Sequence, residues 1–517
     1  MKPYQLPIQA AAAADPHGGS CPGVRAAVPT LTAVAIALAS SVVLALAGCA
    51  SSAGIEPTAR LQSPAGLGAA VAAGAGITPA LAVDWWRAFG DAALNDLIER
   101  SLADNPGLKV AQARLARAEA AAAGARANAG PQLNGSFDVS RQRFSGNSIY
   151  PPPLGGSIRT LGTAQISGSW EIDFFGRNRA AIEAALGAQR AARADAAAAR
   201  VLLASNVARS YVQLARLVEQ RGVAVRSLKQ RDDVLALIKQ RVLGGLDTTV
   251  EQRQGEGALP ESRQQIEALD EQITLTRYAL AALTAQAPDA LDGLAPHLAS
   301  VQGVPLPAAV PADLLGRRAD VAAARWRVEA AGSDAQSARA QFYPNINLTA
   351  FIGLASIGLD QLVKSGSEQY GAGPALRLPI FDAGRLRANL RGKTADVDAA
   401  IESYNGTVID AVHDVADQIA SLRSVERQQA EQVRAQAAAE SAYDLSAQRY
   451  KAGLGNYLTV LNAEGAVLSQ RRLAVDLRAR WLDSQIALAR ALGGGYSAAA
   501  DTVATAEPQI RLARAAQ

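Results

Sequence analysis

Cysteine and histidine, two of the residue types that most often act as nucleophiles, general bases or metal ligands, are few in this sequence. The chain of 517 residues contains His17, His297, His413, Cys21 and Cys49. The histidines lie far apart, and none has the spacing of a metal-binding motif or a catalytic triad. The sequence also has no Gly-rich phosphate loop and no G-x-S-x-G segment. We therefore expect no catalytic, cofactor-binding or metal site, and we expect that the protein is not an enzyme.

Cys49 is the residue whose surroundings predict a chemical modification. It follows an uncharged apolar stretch, residues 28–47, which Arg25 precedes, as in a secretory signal. The segment 46–49 (LAGC) resembles the lipobox of bacterial lipoproteins, in which cleavage leaves the cysteine first and its thiol takes a diacylglycerol. We expect Cys49 to be the lipid anchor and residues 1–48 to be the signal peptide, with a true start near Val24. The alternative is an uncleaved membrane helix, because the stretch is about long enough to span a bilayer.

The composition indicates long, closely packed helices. Hydrophobic residues make up 49% of the chain but aromatic residues only 5%, and alanine accounts for much of the difference. Alanine has the highest helix propensity and a small side chain. The 51 basic and 47 acidic residues are interspersed through the helical stretches, which is typical of solvated helix faces. No basic stripe appears, so we expect no nucleic-acid binding.

The body of the chain is a tandem duplication. Gly176-Arg177 corresponds to Gly384-Arg385, 208 positions later, and Gly245-Leu246 corresponds to Gly453-Leu454 at the same offset. Each copy is predicted to contain a helix, a hairpin, a long helix, a turn and a second helix. Residues 177–242 contain no proline and carry two apolar stripes at helical spacing, and residues 384–452 repeat the pattern. About 66 residues would form a helix roughly 100 Å long, far longer than a globular core needs.

Four segments between the helices alternate apolar and polar residues with a period of two. They are residues 133–140, 164–173, 345–353 and 370–380. Alternating strands of about ten residues suit a transmembrane β-barrel, although any single one would also suit a half-buried sheet in a soluble domain. Four strands cannot close a barrel, because the smallest barrels have about eight. A membrane barrel built from this chain must therefore be shared between subunits.

Five segments of the chain carry specific motifs: 85–91 (WWRAFGD), 169–177 (SWEIDFFGR), 334–347 (DAQSARAQFYPNIN), 378–385 (LPIFDAGR) and 449–464 (RYKAGLGNYLTVLNAE). In these segments the sequence resembles the TolC superfamily, most closely the NodT/OprM-type outer-membrane lipoproteins of RND efflux systems. The resemblance extends from Leu81 to Gly494. It implies a mainly α fold with a β-barrel part: a homotrimer in which each chain gives four strands to a twelve-stranded outer-membrane barrel and long helices to a periplasmic α-barrel.

The same resemblance sets the expected domain organisation and partners. The domains would be a signal peptide (1–48), a lipid-anchored linker (49–80), a first efflux repeat (81–286), a proline-rich linker (287–311), a second efflux repeat (312–494) and a C-terminal tail (495–517). The expected partners are outer-membrane lipid, a periplasmic adaptor protein and an inner-membrane RND-type pump. The covalent lipid on Cys49 would be the only non-protein group.

The resemblance also assigns two kinds of site residue. Gly245, Leu246, Gly453 and Leu454 would form helix–turn–helix tips that face the adaptor, although simple turn chemistry would also explain the glycines. Leu458, Thr459 and Asn462 would form the periplasmic constriction. In related channels the positions of Thr459 and Asn462 often carry aspartates that attract cations. This sequence departs from that pattern, so we expect closure by steric contact and side-chain hydrogen bonds rather than by charge.

The leading hypothesis is therefore the exit duct of an efflux pump for small organic compounds such as drugs. One alternative is the duct of a type I protein-secretion system, which the same fold would serve. The other is a structural envelope lipoprotein without a pore, against which the alternating strands argue.

Overall fold

The computed structural model describes residues 51–62, 81–147, 149–304 and 314–496. Cys49, the signal peptide, residues 63–80 of the lipid-anchored linker, residues 305–311 of the proline-rich linker, the first two residues of the second repeat and the tail from residue 497 lie outside the described residues. The helices are α1 (Ala92–Asp104), α2 (Pro106–Asn128), α3 (Arg177–Leu243), α4 (Thr249–Leu283), α5 (Leu314–Arg317), α6 (Ala319–Ala340), α7 (Arg385–Lys451) and α8 (Tyr457–Ala491). The strands are β1 (Gln132–Arg143), β2 (Ile158–Ile172), β3 (Asn345–Ile357) and β4 (Glu368–Arg377).

The predicted duplication is confirmed at the level of secondary structure. The first copy consists of α2, β1, β2, α3 and α4, and the second consists of α6, β3, β4, α7 and α8. The two long helices have 67 residues each, and the two helices that return from the tips have 35 residues each. Helix α3 packs against α2 and α4 and also against α6 and α8, while α7 packs against α6 and α8. The long helices thus have neighbours on two sides, as a helix with two apolar stripes requires, and they are parts of a wall of helices.

The long helices begin with the same local structure in both copies. The carboxylate of Asp173 accepts hydrogen bonds from the backbone N–H groups of Asn178 and Arg179, at the start of α3. The carboxylate of Asp382 accepts them from Gly384 and Leu386, at the start of α7. An acidic group at this position satisfies N–H groups that have no partner within the helix and favours the helix dipole.

The four strands form one antiparallel sheet in the order β1-β2-β3-β4. Because successive side chains alternate between faces, the register places most of the large apolar residues of the four strands on one face, while Leu161, Phe351 and Ile357 lie on the other. That face is exposed and carries Leu133, Phe137, Val139, Ile166, Trp170, Leu348, Ile352, Tyr370 and Leu376. The other face carries mainly polar residues, among them Asn134, Ser136, Gln165, Ser167, Asn347 and Thr349. The outer edges of β1 and β4 have no strand partner within the described chain.

The main hydrophobic cluster lies where the N-terminal part of the domain packs on the long helices. Trp85, Trp86 and Phe89 are buried against α3, and Leu298 and Val301 from the inter-repeat segment join the same cluster. The buried carboxylate of Asp91 accepts hydrogen bonds from the Tyr211 hydroxyl at 2.9 Å and from the Ser300 hydroxyl at 2.5 Å. These contacts bind three parts of the chain together around the middle of α3.

None of the described helices is both long enough and apolar enough to cross a membrane.

Candidate functional site

The two helix–turn–helix tips have the same backbone structure. At the end of α3, Gly245 has a φ of 69°, and the N–H of Leu246 donates to the carbonyl of Arg241 at 2.8 Å. At the end of α7, Gly453 has a φ of 75°, and the N–H of Leu454 donates to the carbonyl of Arg449 at 2.8 Å. This is the Schellman arrangement, in which a left-handed glycine satisfies the last carbonyls of a helix.

The leucine that follows each glycine is exposed. Leu246 is 68% exposed and Leu454 is 70% exposed, whereas the equivalent apolar residue of a Schellman turn often packs back on its own helix. Apolar side chains that remain in solvent at the ends of two hairpins are available for contact with a partner. The structure thus brings the predicted tip residues Gly245, Leu246, Gly453 and Leu454 to matching positions on the two hairpins.

A group of three side chains joins the two tips. Arg241 and Asp247 form an ion pair, with Nε and Oδ2 2.9 Å apart, and Arg241 Nη1 donates to the carbonyl of Tyr450 at 3.0 Å. The Tyr450 hydroxyl donates to Asp247, and the Arg241 guanidinium lies 4.5 Å from the centroid of the Tyr450 ring. We call Arg241, Asp247 and Tyr450 the clasp, because they connect the α3–α4 hairpin to the α7–α8 hairpin.

The surroundings of the clasp favour ionised Asp247 and neutral Tyr450. Burial alone would raise the pKa of Asp247, but hydrogen bonds from Arg241 and Tyr450 and the charge of Arg241 outweigh it and lower that pKa. Burial, followed by the hydrogen bond to Asp247, raises the pKa of Tyr450 far above its ordinary value. Tyr450 therefore remains a hydrogen-bond donor, and Asp247 an acceptor, throughout the neutral pH range.

The residues predicted for the constriction share one face of α8, directly beyond the second tip. Leu458, Thr459 and Asn462 are all exposed, whereas Tyr457 and Val460 point to the opposite side and are buried. Asn456 caps the helix, and its side-chain oxygen accepts from both the backbone N–H and the hydroxyl of Thr459, at 3.0 and 2.7 Å. These two hydrogen bonds fix the Thr459 side chain at the start of α8, next to the tip, without a charged group.

A buried ion pair lies one turn farther along α8. Glu464 is 6% exposed, and its carboxylate accepts from Arg231 Nε at 2.8 Å and from the Ser227 hydroxyl at 3.2 Å. Arg231 also donates to the Ser262 hydroxyl, so that α3, α4 and α8 meet at one group of polar side chains. The aligned residue of the first copy, Glu256, is more exposed and pairs with Arg253 on its own helix. The two copies have therefore diverged here.

At the opposite end of the molecule, residues 51–62 lie along the surface of helix α7. Arg387, at the start of α7, donates to the carbonyl of Ser51, and Asp398 accepts from the backbone of Thr58 and Ala59 at 2.8 and 2.9 Å. Farther along, the Asn405 side chain accepts from the N–H of Gln62 at 2.8 Å. Ile55 is 5% exposed and packs against Ala338, Leu390 and Phe342. Ser51, two residues after Cys49, is thus held at the end of α7 that adjoins the sheet.

Sequence reasoning found the turns and the exposed face of α8 but missed the clasp and the cap. Arg241 lies four residues before Gly245 and Tyr450 three residues before Gly453, the two glycines that the duplication matched, and Asp247 directly follows Gly245-Leu246. The signal in the sequence that could have indicated the clasp was a tyrosine before one of the two matched turns and an acid after the other. Their pairing depends on how the hairpins pack, which the sequence does not show.

This chain is similar in sequence and in fold to known proteins. The model of the outer membrane efflux protein family matches residues 97–286 and 310–494. The multidrug resistance outer membrane protein MdtQ of Escherichia coli is 34% identical over 420 residues, which cover 80% of this chain and 88% of MdtQ. The fusaric acid resistance protein FusA of Burkholderia cepacia is 37% identical over 363 residues, which cover 69% of this chain and 68% of FusA. The crystal structure of the outer membrane protein VceC of Vibrio cholerae superimposes with a TM-score of 0.77 at 34% identity, covering 80% of this chain and 100% of VceC.

Proposed function

This chain belongs to the outer membrane efflux protein family and is an outer-membrane exit duct, and we propose that it works as a homotrimer that receives small organic molecules from a periplasm-spanning pump. The relatives are named for multidrug resistance and fusaric acid resistance. Drug-like organic compounds are therefore the proposed substrates. Such a duct carries out no covalent chemistry. Its function depends on an open lumen, on closure at the periplasmic end and on contact with its partners.

The observation that carries the proposal is the sheet with one apolar face and two unpaired edges. An exposed apolar face of this extent suits contact with lipid, and the polar face suits a water-filled lumen. The backbone groups on the outer edges of β1 and β4 must find partners before the sheet can enter a membrane. Pairing β4 of one copy with β1 of the next satisfies both edges, and three copies would give twelve strands.

The experiment is to purify the full chain in detergent, measure its oligomeric mass and record its conductance in planar bilayers. A mass of three chains together with discrete conductance steps would support the proposal. Monomers that produce no conductance, although they are folded by circular dichroism, would overturn it. A non-channel envelope lipoprotein would give that second result.

The N-terminal segment supports a lipid anchor at Cys49. Because Arg387 holds Ser51 beside the sheet, a lipid on Cys49 would lie close to the level at which the apolar face ends. We infer that the diacylglycerol inserts into the periplasm-facing leaflet of the outer membrane while residues 51–62 stay on α7. Mass spectrometry of the mature N-terminal peptide tests this, because a Cys49→Ser chain would lack the added lipid mass.

The tips support docking of a periplasmic adaptor, which in turn would connect the duct to an inner-membrane RND-type pump. Leu246 and Leu454 present apolar side chains at the ends of both hairpins, and the clasp lies directly behind them. An adaptor that binds at these residues would act next to the clasp and could therefore separate the two hairpins. In this proposal the clasp and the face formed by Leu458, Thr459 and Asn462 close the resting duct.

A further inference from the structure

Two arginines extend the lipid-facing side of β1 beyond its last apolar residue. The register of β1 with β2 runs without interruption from Gln132 to Arg143. Side chains two residues apart therefore share a face, and Arg141 and Arg143 lie on the same face as Phe137 and Val139. Both arginines are exposed. They stand at the end of β1 that is farthest from the long helices, and hence at the outer rim of the sheet.

Neither guanidinium is neutralised by another residue of the described chain. Arg141 lies opposite Thr160 in the ladder, and Arg143 lies opposite Ile158. Neither side chain forms an ion pair or a hydrogen bond with another described residue, whereas Arg159, on the polar face at the same height, donates to the Ser157 hydroxyl at 3.3 Å. Two positive charges, two residues apart on a mainly apolar face, are expected to bind a ligand that is anionic and belongs to the membrane.

An apolar turn shares this rim. The N–H of Gly358 donates to the carbonyl of Thr160 at 2.7 Å, so the β3–β4 connection begins at the level of Arg141. The turn folds Leu359 and Leu362 over Gly162, where an added Cβ would lie 2.8 Å from Leu359 Cδ2. Gly162 pairs with Val139, on the same lipid-facing side. Leu359 and Val363 remain 47% and 83% exposed. Apolar side chains and guanidiniums at one height are typical of the boundary between acyl chains and head groups.

We propose that Arg141 and Arg143 bind the phosphate groups of a phosphorylated glycolipid in the outer leaflet, with its acyl chains against the apolar face below. The inference rests on the proposed function, because it requires the sheet to span the outer membrane. Guanidinium groups suit this role because their fork of donors matches phosphate oxygens and stays charged at every relevant pH. The two Cα atoms are roughly 7 Å apart, so the side chains can converge on one phosphate or bind two.

The competing occupant is a second copy of the chain. β1 is an edge strand, and Glu368 of a neighbouring β4 would stand at the same rim, because Glu368 pairs with Leu354 and so lies on the lipid-facing side. Its carboxylate already accepts from the backbone N–H of Gly366 at 2.8 Å. We favour the lipid over a second copy as the ligand. A neighbouring copy would offer only one carboxylate for two guanidiniums, and that carboxylate already accepts from Gly366.

The test compares lipid A carrying both phosphates with lipid A stripped of them, each titrated into the purified full-length protein and followed by native mass spectrometry. The Arg141→Gln/Arg143→Gln variant should bind phosphorylated lipid A about tenfold or more weakly, whereas the dephosphorylated form should bind both proteins equally. Arg159→Gln is the matched control, because it removes an arginine at the same height on the opposite face. It should bind like the unaltered protein.

Three results would overturn the inference. They are equal loss of binding in Arg159→Gln, affinity that does not depend on phosphate, and a double variant that dissociates into monomers while its lipid A affinity is unchanged. The last result would identify Glu368 of a neighbouring copy as the partner. Oligomeric mass and conductance are measured on the same preparations. In the unaltered protein, failure of the lipid inference alone leaves the trimeric mass and the conductance in place, whereas failure of the proposed function removes its conductance.

Discussion

The hydroxyl of Tyr450, in the last turn of α7, donates a hydrogen bond to the carboxylate of Asp247, which lies between α3 and α4. Arg241 holds the same carboxylate from the other side, with Nη2 and Oδ1 3.3 Å apart. Tyr450 is 1% exposed, and the side chains of Arg241 and Asp247 are only 10% and 9% exposed. Water therefore competes little for these groups. The hydrogen bonds between the two hairpins are stronger at this buried position than they would be in solvent.

Removing the Tyr450 hydroxyl should loosen the closed tip. A hydrogen bond to a charged group contributes about 1.5–3 kcal/mol, so Tyr450→Phe should shift the balance toward the open state about tenfold to a hundredfold. Open probability in planar bilayers measures the change. Tyr443→Phe is the control, because the Tyr443 hydroxyl has no hydrogen bond to any described residue although Tyr443 packs in the same cluster. Equal effects of the two substitutions would mean that packing, not the hydrogen bond, holds the tip.

Closure by the clasp should withstand mild acid. Hydrogen bonds from Arg241 and Tyr450 lower the pKa of Asp247 below its ordinary value of 3.8, in spite of its burial. The Asp247 carboxylate therefore stabilises the closed state fully at any pH above 3.8. This stabilisation is lost only when the pH falls through the pKa that Asp247 has in the closed state, which is lower still. Open probability should therefore be the same at pH 7 and pH 5, and Asp247→Asn should be open at both. Opening of the unaltered channel between pH 7 and pH 5 would assign the switch to another group.

Placing acids on the exposed face of α8 should make the constriction select cations. Thr459 and Asn462 are exposed, uncharged and adjacent to the tip. Three copies of Thr459→Asp/Asn462→Asp would form a negative ring in a narrow passage, and the reversal potential in a salt gradient should shift toward that of the cation. The shift should be larger at 0.1 M than at 1 M salt, because screening shortens from about 10 Å to about 3 Å. Ser469→Asp, exposed on the same face about two turns farther from the tip, should shift it less. An equal shift would place the constriction elsewhere.

Polar substitution of the tip leucines should weaken docking of the adaptor. Leu246→Asp/Leu454→Asp replaces both apolar side chains at the hairpin ends with charges that an apolar contact cannot accommodate. Crosslinking of the adaptor in cells should fall several-fold while the trimer and its conductance persist. Val433→Asp, on α7 about five turns from the tip and 69% exposed, is the control for adding a charge to exposed apolar surface. Normal crosslinking by the double variant would contradict the assignment of the tips.

The local structure was predictable from the sequence because its signals are local. The turns at Gly245 and Gly453, the long helices and all four strands follow from glycine position and from hydrophobic period. The strand ends are less well predicted, since β2 begins six residues before its predicted segment and β4 ends at Arg377, three residues before its predicted end. The pairing of Asp247 with Tyr450, 203 residues away, follows from the packing of two hairpins. Burial of Trp85 and Trp86 against α3 likewise follows from tertiary packing, since tryptophan favours both membrane interfaces and cores. Cys49 lies outside the described residues, so its lipidation stays a prediction.

The glycines that end α8 should tolerate no side chain. Gly493 has a φ of 99°, and a Cβ there would lie 1.8 Å from the carbonyl oxygen of Arg317, a backbone atom that cannot turn aside. Gly493→Ala should destabilise the fold by about 2–5 kcal/mol, from left-handed backbone strain together with overpacking. Gly465→Ala is the matched control, because Gly465 lies inside the same helix with no atom within 4 Å of an added Cβ. Alanine there should stabilise the helix by about 0.5–1 kcal/mol. Thermal unfolding in detergent, followed by circular dichroism, should therefore move in opposite directions for the two variants. A Gly493→Ala protein as stable as the unaltered chain would mean that α8 can end without its close contact with Arg317.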